Sequence, residues 1–320
     1  MSSLSNLPYG KILDYWYEKL SGSKKRIPFL LTKTVEVFSF KSKAPRNKSI
    51  HQFVPFSNQV ENNIPENPIL SIVIPCFIRN STDLDNLKSL IKSIKHQSVK
   101  PNHIIIVDDC SPFKYQLADE IIYCQVEINS GPAKARNIGK QMAATLRSDI
   151  VAFTDADCIL HANWVSAIIL EFQKDKGFNI LSGNTISLDQ HWFGTYHNIN
   201  GTLNGRIIKS SDKLLYGTTA NLAISSIVNK SISFNEGFTK AAGEDIEFCY
   251  RANQSGFTIK HVPGMIVSHN FGYTSNPFKS FRKFVNQFRK YGEGERTLLK
   301  YVPEYYAYFD NTNEIEASVH

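Results

Sequence analysis

Short apolar runs that stop at acidic or proline residues recur along this chain. Leu70-Ser71-Ile72-Val73-Ile74-Pro75 is the first, and His103 to Val107 is the second, ending at Asp108-Asp109. Ile150-Val151-Ala152-Phe153 is the third, followed by Thr154-Asp155-Ala156-Asp157. Runs this short and this rich in β-branched residues read as buried parallel strands. Weaker strand patterns cover Ile121 to Glu127, Asn179 to Ser182, Ala220 to Ile224, Thr258 to Val262 and Met265 to Ser268. Helical spacing fills the gaps. Leu84, Leu87, Ile91 and Ile94 share one face, with Ser81, Thr82 and Asp83 offering the N-cap oxygen. A helix from Pro132 to about Leu146 follows the turn Asn129-Ser130-Gly131-Pro132. His161 to Lys174 turns Trp164, Ile168 and Phe172 inward, and Glu244 to Gln254 is stopped by Gly256. The last helix starts at Asn276-Pro277, carries Phe281, Val285 and Phe288, and ends at Gly292 and Gly294. The alternation predicts an α/β fold, a mostly parallel sheet flanked by helices.

Both ends read differently. Residues 1–68 form an N-terminal extension with a short amphipathic helix over Gly10 to Leu20 and a weak alternation over Thr34 to Phe40. A polar linker ends it at Pro65-Glu66-Asn67-Pro68. The central α/β domain spans 69–275, and 276–320 form a helical tail. Of the net charge of +7, residues 1–68 supply a surplus of +5 and residues 279–302 another +5, leaving the middle slightly acidic. Basic ends suit phosphates or peripheral contact with an anionic membrane, and solvated charge with no partner explains them as well. The five cysteines are scattered without a C-x-x-C pair, as expected for reduced thiols. With no apolar run long enough to span a bilayer and no signal-peptide pattern at the start, the expected location is cytoplasmic. The inner face of the membrane is the expected site of any peripheral contact.

The chemistry sits where strands end. Asp155 and Asp157 follow a buried strand, where open α/β sheets bind ligands. Two acids so placed repel unless a cation or a polyhydroxy ligand lies between them, and oxygen donors suit Mg²⁺ or Mn²⁺. The D-x-D form alone proves little, since Asp83-Leu84-Asp85 repeats it at a helix start, where capping explains it. Asp109 can accept a base N–H or bind ribose, or simply close a turn with Ser111. Arg136 can meet an Asp of the site or a phosphate, or lie on the surface. Glu244 and Asp245 either complement the dipole of their helix or supply a general base, with Glu244 and Glu247 raising the pKa of Asp245. His269, after Met265-Ile266-Val267, can complete a Mn²⁺ shell or pack. His191, Trp192, Tyr196 and His197 can stack on sugars or pack.

In order, the segments SIVIPCF (71–77), QSVKPNHIIIVDDCSP (97–112), GPAKARNIG (131–139), IVAFTDADC (150–158), GTTANLAI (217–224), GEDIEFCYRA (243–252) and VSHNFG (268–272) resemble the family 2 glycosyltransferases. The resemblance implies a GT-A-type, Rossmann-like sheet. It implies a metal-dependent, inverting, non-processive hexosyl transfer from a nucleoside diphosphate sugar, UDP-linked, to an acceptor hydroxyl. The acceptor would be a glycan, a lipid-linked sugar or a protein, in bacterial surface polysaccharide synthesis. Pro75, Phe77 and Asp109 would contact the base, with Arg79 and Arg136 near the nucleotide. Asp155 would sit by the ribose. Asp157 and His269 would hold Mn²⁺ or Mg²⁺. Asp245 would be the catalytic base, with Glu244, Asn221 and Gly217 on the acceptor side. The chain departs from the family's processive members, having no Q-x-x-R-W motif, and it has Cys76-Phe77-Ile78-Arg79 where many relatives carry Tyr-Asn.

Two other classes compete. A sugar-phosphate nucleotidyltransferase needs a glycine-rich basic loop after the first strand, and 75–80 contains no glycine. A non-catalytic sugar-nucleotide or nucleic-acid binder is the other, and acidic strand ends argue against a nucleic-acid backbone.

Overall fold

The computed structural model describes residues 60–189, 191–208, 211–304 and 315–317. The expectations for 10–20 and 34–40 lie outside them. Leu70–Cys76 (β1) lies between His103–Asp108 (β2) and Ile150–Phe153 (β4), parallel to both. Leu70, Ile72, Val73 and Ile74 are wholly buried, as expected of a central strand covered on two faces. Ile122–Gln125 (β3) extends the sheet beyond β2. On the other side follow Leu222–Ser225 (β9), Ile180–Ser187 (β6), Ile259–His269 (β10) and Cys158–Leu160 (β5). The order is β3-β2-β1-β4-β9-β6-β10-β5, with β9 and β5 reversed against the other six.

Ser81–Lys95 (α1) and Trp164–Lys174 (α3) cover one face, burying Leu87, Leu90, Ile94, Trp164, Ile168 and Phe172. Pro132–Thr145 (α2) and Glu244–Gln254 (α6) cover the other, with Ala133, Ala135, Phe248 and Ala252 in the core. Two shorter helices, Trp192–Asn200 (α4) and Ser226–Ser231 (α5), lie between them in sequence. The small strands Arg206–Ile208 (β7), Leu214–Tyr216 (β8) and Ile315–Ala317 (β11) form a separate antiparallel sheet. Among the described residues no helix is long and apolar enough to cross a membrane.

Several expectations need correction. The cap of α1 is Asn80, one residue earlier than expected, because its extended backbone lets the side chain accept the Asp83 N–H. The strands expected over 258–262 and 265–268 are one strand, β10, whose register shifts between His261 and Ile266. Pro263 lacks an N–H, so the ladder bulges there instead of ending. β6 continues past Ser182 because the buried Asn184 side chain pairs with His261 and the Thr185 backbone N–H donates to the Asn204 Oδ1. The 220–224 pattern splits into a 3₁₀ turn, Thr219–Asn221, and β9. The final described part of the N-terminal stretch is not a free linker: Asn62 is fully buried and donates its N–H to the Lys176 carbonyl at 2.9 Å.

The last helix, Pro277–Tyr301 (α7), starts as expected, with Asn276 accepting the Lys279 N–H. It does not stop at its glycines. A Cβ on Gly294 would lie 2.3 Å from the Ala242 Cβ, whereas one on Gly292 meets nothing within 4 Å. Gly294 is therefore a contact point where α7 crosses the turn leading into α6. We expect Gly294→Ala to destabilise the fold by about 1–3 kcal/mol through overpacking. Gly292→Ala should stabilise it by up to about 1 kcal/mol, because open helical glycine costs backbone entropy. Chemical denaturation of the two variants checks the contrast, and equal effects would reject the crossing.

Candidate active site

Parallel strands bring their carboxyl ends to one edge. Cys76 lies opposite Asp108 there, and His269 lies opposite Cys158 at the start of reversed β5. The Asp155–Asp157 turn after β4 therefore meets the end of β10. Asn270 donates its N–H to the Asp157 carbonyl at 2.9 Å, and the His269 Nε2 is 3.2 Å from the Asp157 Oδ1. Burial raises the proton affinity of Asp157, His269 pulls it down, and Asp155 pushes it up again.

This pair fits a divalent cation. Two neighbouring donors of an octahedral ion at about 2.1 Å stand about 3 Å apart, close to the observed spacing. The imidazole and the carboxylate are both ligand types that Mn²⁺ takes. The buried His269 Nδ1 has no hydrogen-bond partner. Cys158 Sγ also lies in the cluster, but its buried thiol is pushed well above its ordinary pKa and stays protonated.

Arg136, in the second turn of α2, is neither on the surface nor open to solvent. It is 3% exposed. Its Nη1 donates to Glu244 Oε1 at 2.7 Å and its Nη2 to Asp155 Oδ1 at 3.0 Å. The sequence expectation puts it near the nucleotide; in the structure its guanidinium is engaged by two acids. Glu244 Oε2 accepts the Ala242 N–H at 2.9 Å, so both its oxygens are engaged. It faces the protein and offers an acceptor no idle oxygen.

Asp245 follows it on α6 and is half-buried. Its Oδ2 takes the Thr219 N–H at 3.4 Å. Burial pushes its pKa up, Glu244 adds to the rise and Arg136 opposes it, leaving it at about 7. The expected contribution of Glu247 meets a different arrangement: Arg251 grips both its oxygens, at 2.7 and 2.8 Å.

On the opposite side, Asp108 accepts the Ser111 N–H and the hydroxyls of Tyr115 and Tyr123. Asp109 accepts the N–H groups of Ser130 and Gly131, each at 2.8 Å, and so clamps the turn before α2. Pro75 pairs with Val107 in the sheet. Phe77 stands beyond it with 41% of its surface exposed, an open aromatic face. Arg79 is exposed and forked onto Asp83.

Asn221 has no free polar group. Its Oδ1 accepts the Trp164 indole N–H at 2.7 Å, and its Nδ2 donates to the carbonyls of Asn184 and Met265. Gly217 is a close-approach position, where a Cβ would come within 2.5 Å of the Ser182 Cβ. Both shape the wall beneath Asp245 and make it rigid. On α4, His197 is buried, stacked on Phe271 and hydrogen-bonded to the Tyr273 hydroxyl. Tyr196 packs edge-on against Phe284 and Phe288, and Trp192 is exposed.

One residue escaped the sequence reading. Lys283 on α7 donates to the Gly272 carbonyl at 3.0 Å, three residues past His269, and its charge lowers the proton affinity of Asp83, Asp157 and Asp189. Nothing local distinguishes it from the other basic residues of that helix.

Comparison with known proteins fits this geometry. The sequence pattern described as Glycosyl transferase family 2 matches residues 71–238. A pre-mycofactocin glycosyltransferase of Mycobacterium tuberculosis is 26% identical over 219 residues, which are 64% of this chain and 43% of that protein. The hyaluronan synthase of Pasteurella multocida is 25% identical over 241 residues, 62% of this chain and 24% of that protein. The chain thus spans less than half the length of these relatives. Among solved structures, S. aureus TarS 1–349 in complex with UDP has a TM-score of 0.50 at 15% identity, over 74% of this chain and 72% of that one. GalNAc-T7 with UDP, GalNAc and Mn²⁺ has a TM-score of 0.50 at 17% identity, over 77% and 55%. The mostly parallel sheet with helices on both faces is the GT-A fold of these neighbours. By a sequence match that covers more than half its length, the chain belongs to glycosyl transferase family 2.

Proposed function

We propose that this chain moves a sugar from a nucleoside diphosphate sugar, UDP-linked, to an acceptor hydroxyl with inversion at the anomeric carbon. The observation that carries the reading is the pairing of two unlike centres on one sheet edge. Asp157 faces His269 at 3.2 Å, a spacing that suits two ligands of one cation. Asp245, a carboxylate of raised pKa, stands on the helix that Arg136 ties to Asp155. The relatives support it: they include a glycosyltransferase and a hyaluronan synthase, and the structural neighbours were solved with UDP, one of them also with Mn²⁺.

In this reading the base rests on Phe77 and Pro75 beside Asp109, and Asp155 holds the ribose. Asp157 and His269 hold Mn²⁺ or Mg²⁺, which supplies Lewis-acid stabilisation of the departing diphosphate. Lys283 adds a second positive charge to the same phosphates. Asp245 accepts the proton of the acceptor hydroxyl as that oxygen bonds to the anomeric carbon. The bond to the diphosphate breaks on the opposite face, and the proton passes from Asp245 to solvent. The acceptor is a glycan, a lipid-linked sugar or a protein, and a role in bacterial surface glycan synthesis suits all three. Phe278, 84% exposed at the start of α7 beside Lys279 and Arg282, suits a peripheral contact with anionic lipid.

Release of nucleoside diphosphate from a panel of sugar nucleotides, with and without Mn²⁺, tests the reading. Metal-dependent release should vanish in Asp157→Ala. Asp245→Asn should lose at least ~10²-fold in transfer rate, and full activity would remove it from the base role. Because the base must be unprotonated and burial raises its pKa, activity should fall as pH drops through about 7. A profile flat down to pH 5 would contradict this. Lys283→Ala should raise the donor KM about tenfold, the worth of one charge-assisted hydrogen bond.

A further inference from the structure

Arg136 has a place in the site that a nucleotide contact does not explain. Its two terminal nitrogens join acids that lie 19 and 108 residues away along the chain, one on the turn after β4 and one on α6. The buried Nε has no partner, so the side chain is held by its forked end alone. Around it the medium is apolar, with the Phe234 ring 5.8 Å from the guanidinium carbon. In such surroundings a charge acts strongly on its neighbours.

We propose that Arg136 is a positioning residue that locks α6 to the donor-side turn and governs how tightly Asp245 holds a proton. The groups that face Asp245 are few. Glu244 and Cys249 stand on its own helix, Arg136 reaches in from α2 with Asp155 beyond it, and Tyr291 approaches from α7. The 3₁₀ turn contributes the Thr219 N–H, and the Ile246 N–H of α6 itself donates to the Asp245 Oδ1 at 2.9 Å. Burial keeps both the Cys249 thiol and the Tyr291 phenol protonated, their pKa values being pushed far up. That leaves Glu244 and Arg136 as opposed charges acting on Asp245, the acid favouring its protonated form and the guanidinium its carboxylate. The bridge balances the two. Substituting either partner alone must then move Asp245 in opposite directions, which loss of packing does not do.

The proposal takes its catalytic meaning from Asp245 as base, but its test does not depend on that role. In full-length protein labelled with ¹³C-aspartate, the carboxyl resonance absent from Asp245→Asn is assigned to Asp245 and titrated. Arg136→Gln should raise its midpoint by at least about one pH unit, a tenfold change in proton affinity, and Glu244→Gln should lower it. Glu244→Gln is isosteric and leaves Arg136 an oxygen to bind, so it remains readable if Arg136→Gln does not fold. The double variant Arg136→Gln/Glu244→Gln should return towards the wild-type midpoint. Arg136→Lys keeps the charge without the fork, so it should hold the midpoint near wild type while slowing transfer. If Glu244→Gln raises the midpoint, or both single variants move it the same way, the proposal fails. If the midpoints move as expected while Asp245→Asn retains full transfer activity, the base reading fails and the coupling stands.

Discussion

The direction of the strands decides where everything else can be. Six strands of the eight run the same way, so their carboxyl ends form one edge, and the peptide that leaves each strand is the material from which the site is made. The two reversed strands sharpen this. β5 begins where β10 ends, bringing Cys158 opposite His269. β9 begins beside Phe153, where β4 ends, and so brings the 217–221 wall to the same edge. No single segment contains a site. The sheet assembles one from strand ends that are far apart in sequence.

That edge is also where burial and charge conflict. Asp108, Asp109, Arg136, Glu244 and His269 are all nearly buried, a costly arrangement unless each is paired. Most of the pairing is internal. Asp108 and Asp109 are satisfied by hydroxyl and amide groups, and Arg136 joins Asp155 to Glu244. Asp157 and Asp245 are less enclosed, the first with His269 beside it and the second accepting the backbone N–H groups of Thr219 and Ile246. Both are only partly buried, and both have proton affinities raised chiefly by burial. A part-exposed carboxylate whose proton affinity burial has raised is ready for a partner that arrives later, which marks functional positions off from structural ones.

Sequence patterns exposed β1, β2 and β4 because apolar runs report burial on both faces directly. They hid the far half of β6, since Asn184 and Thr185 are polar and their strand is held by partners distant in sequence, His261 on the Asn184 side chain and Asn204 on the Thr185 backbone N–H. They split β10 at Pro263, because a proline stops a ladder locally but a neighbouring strand can carry the register past a bulge. They closed α7 at Gly292 and Gly294, although the helix runs through both and Gly294 is there for closeness to Ala242. The acids and His269 were legible as types at strand ends. Their division of labour was not. Glu244 and Asp245 are adjacent and chemically alike, and only the fold turns one towards Arg136 and leaves the other half-open. Lys283 had no local signal, because what distinguishes it is the carbonyl of Gly272 across the site.

The long helix α7 touches the site twice. Near its start, Lys283 meets the strand-end segment that carries His269, and eleven residues later Gly294 crosses the turn that feeds Asp245. At the rise of an α-helix those points are about 16 Å apart along one axis. A continuous helix of 25 residues behaves as a rod between them. Its spacing is thus a fixed ruler laid across the cleft, from the donor side to the base. A shift of this rod along its own axis disturbs both contacts at once.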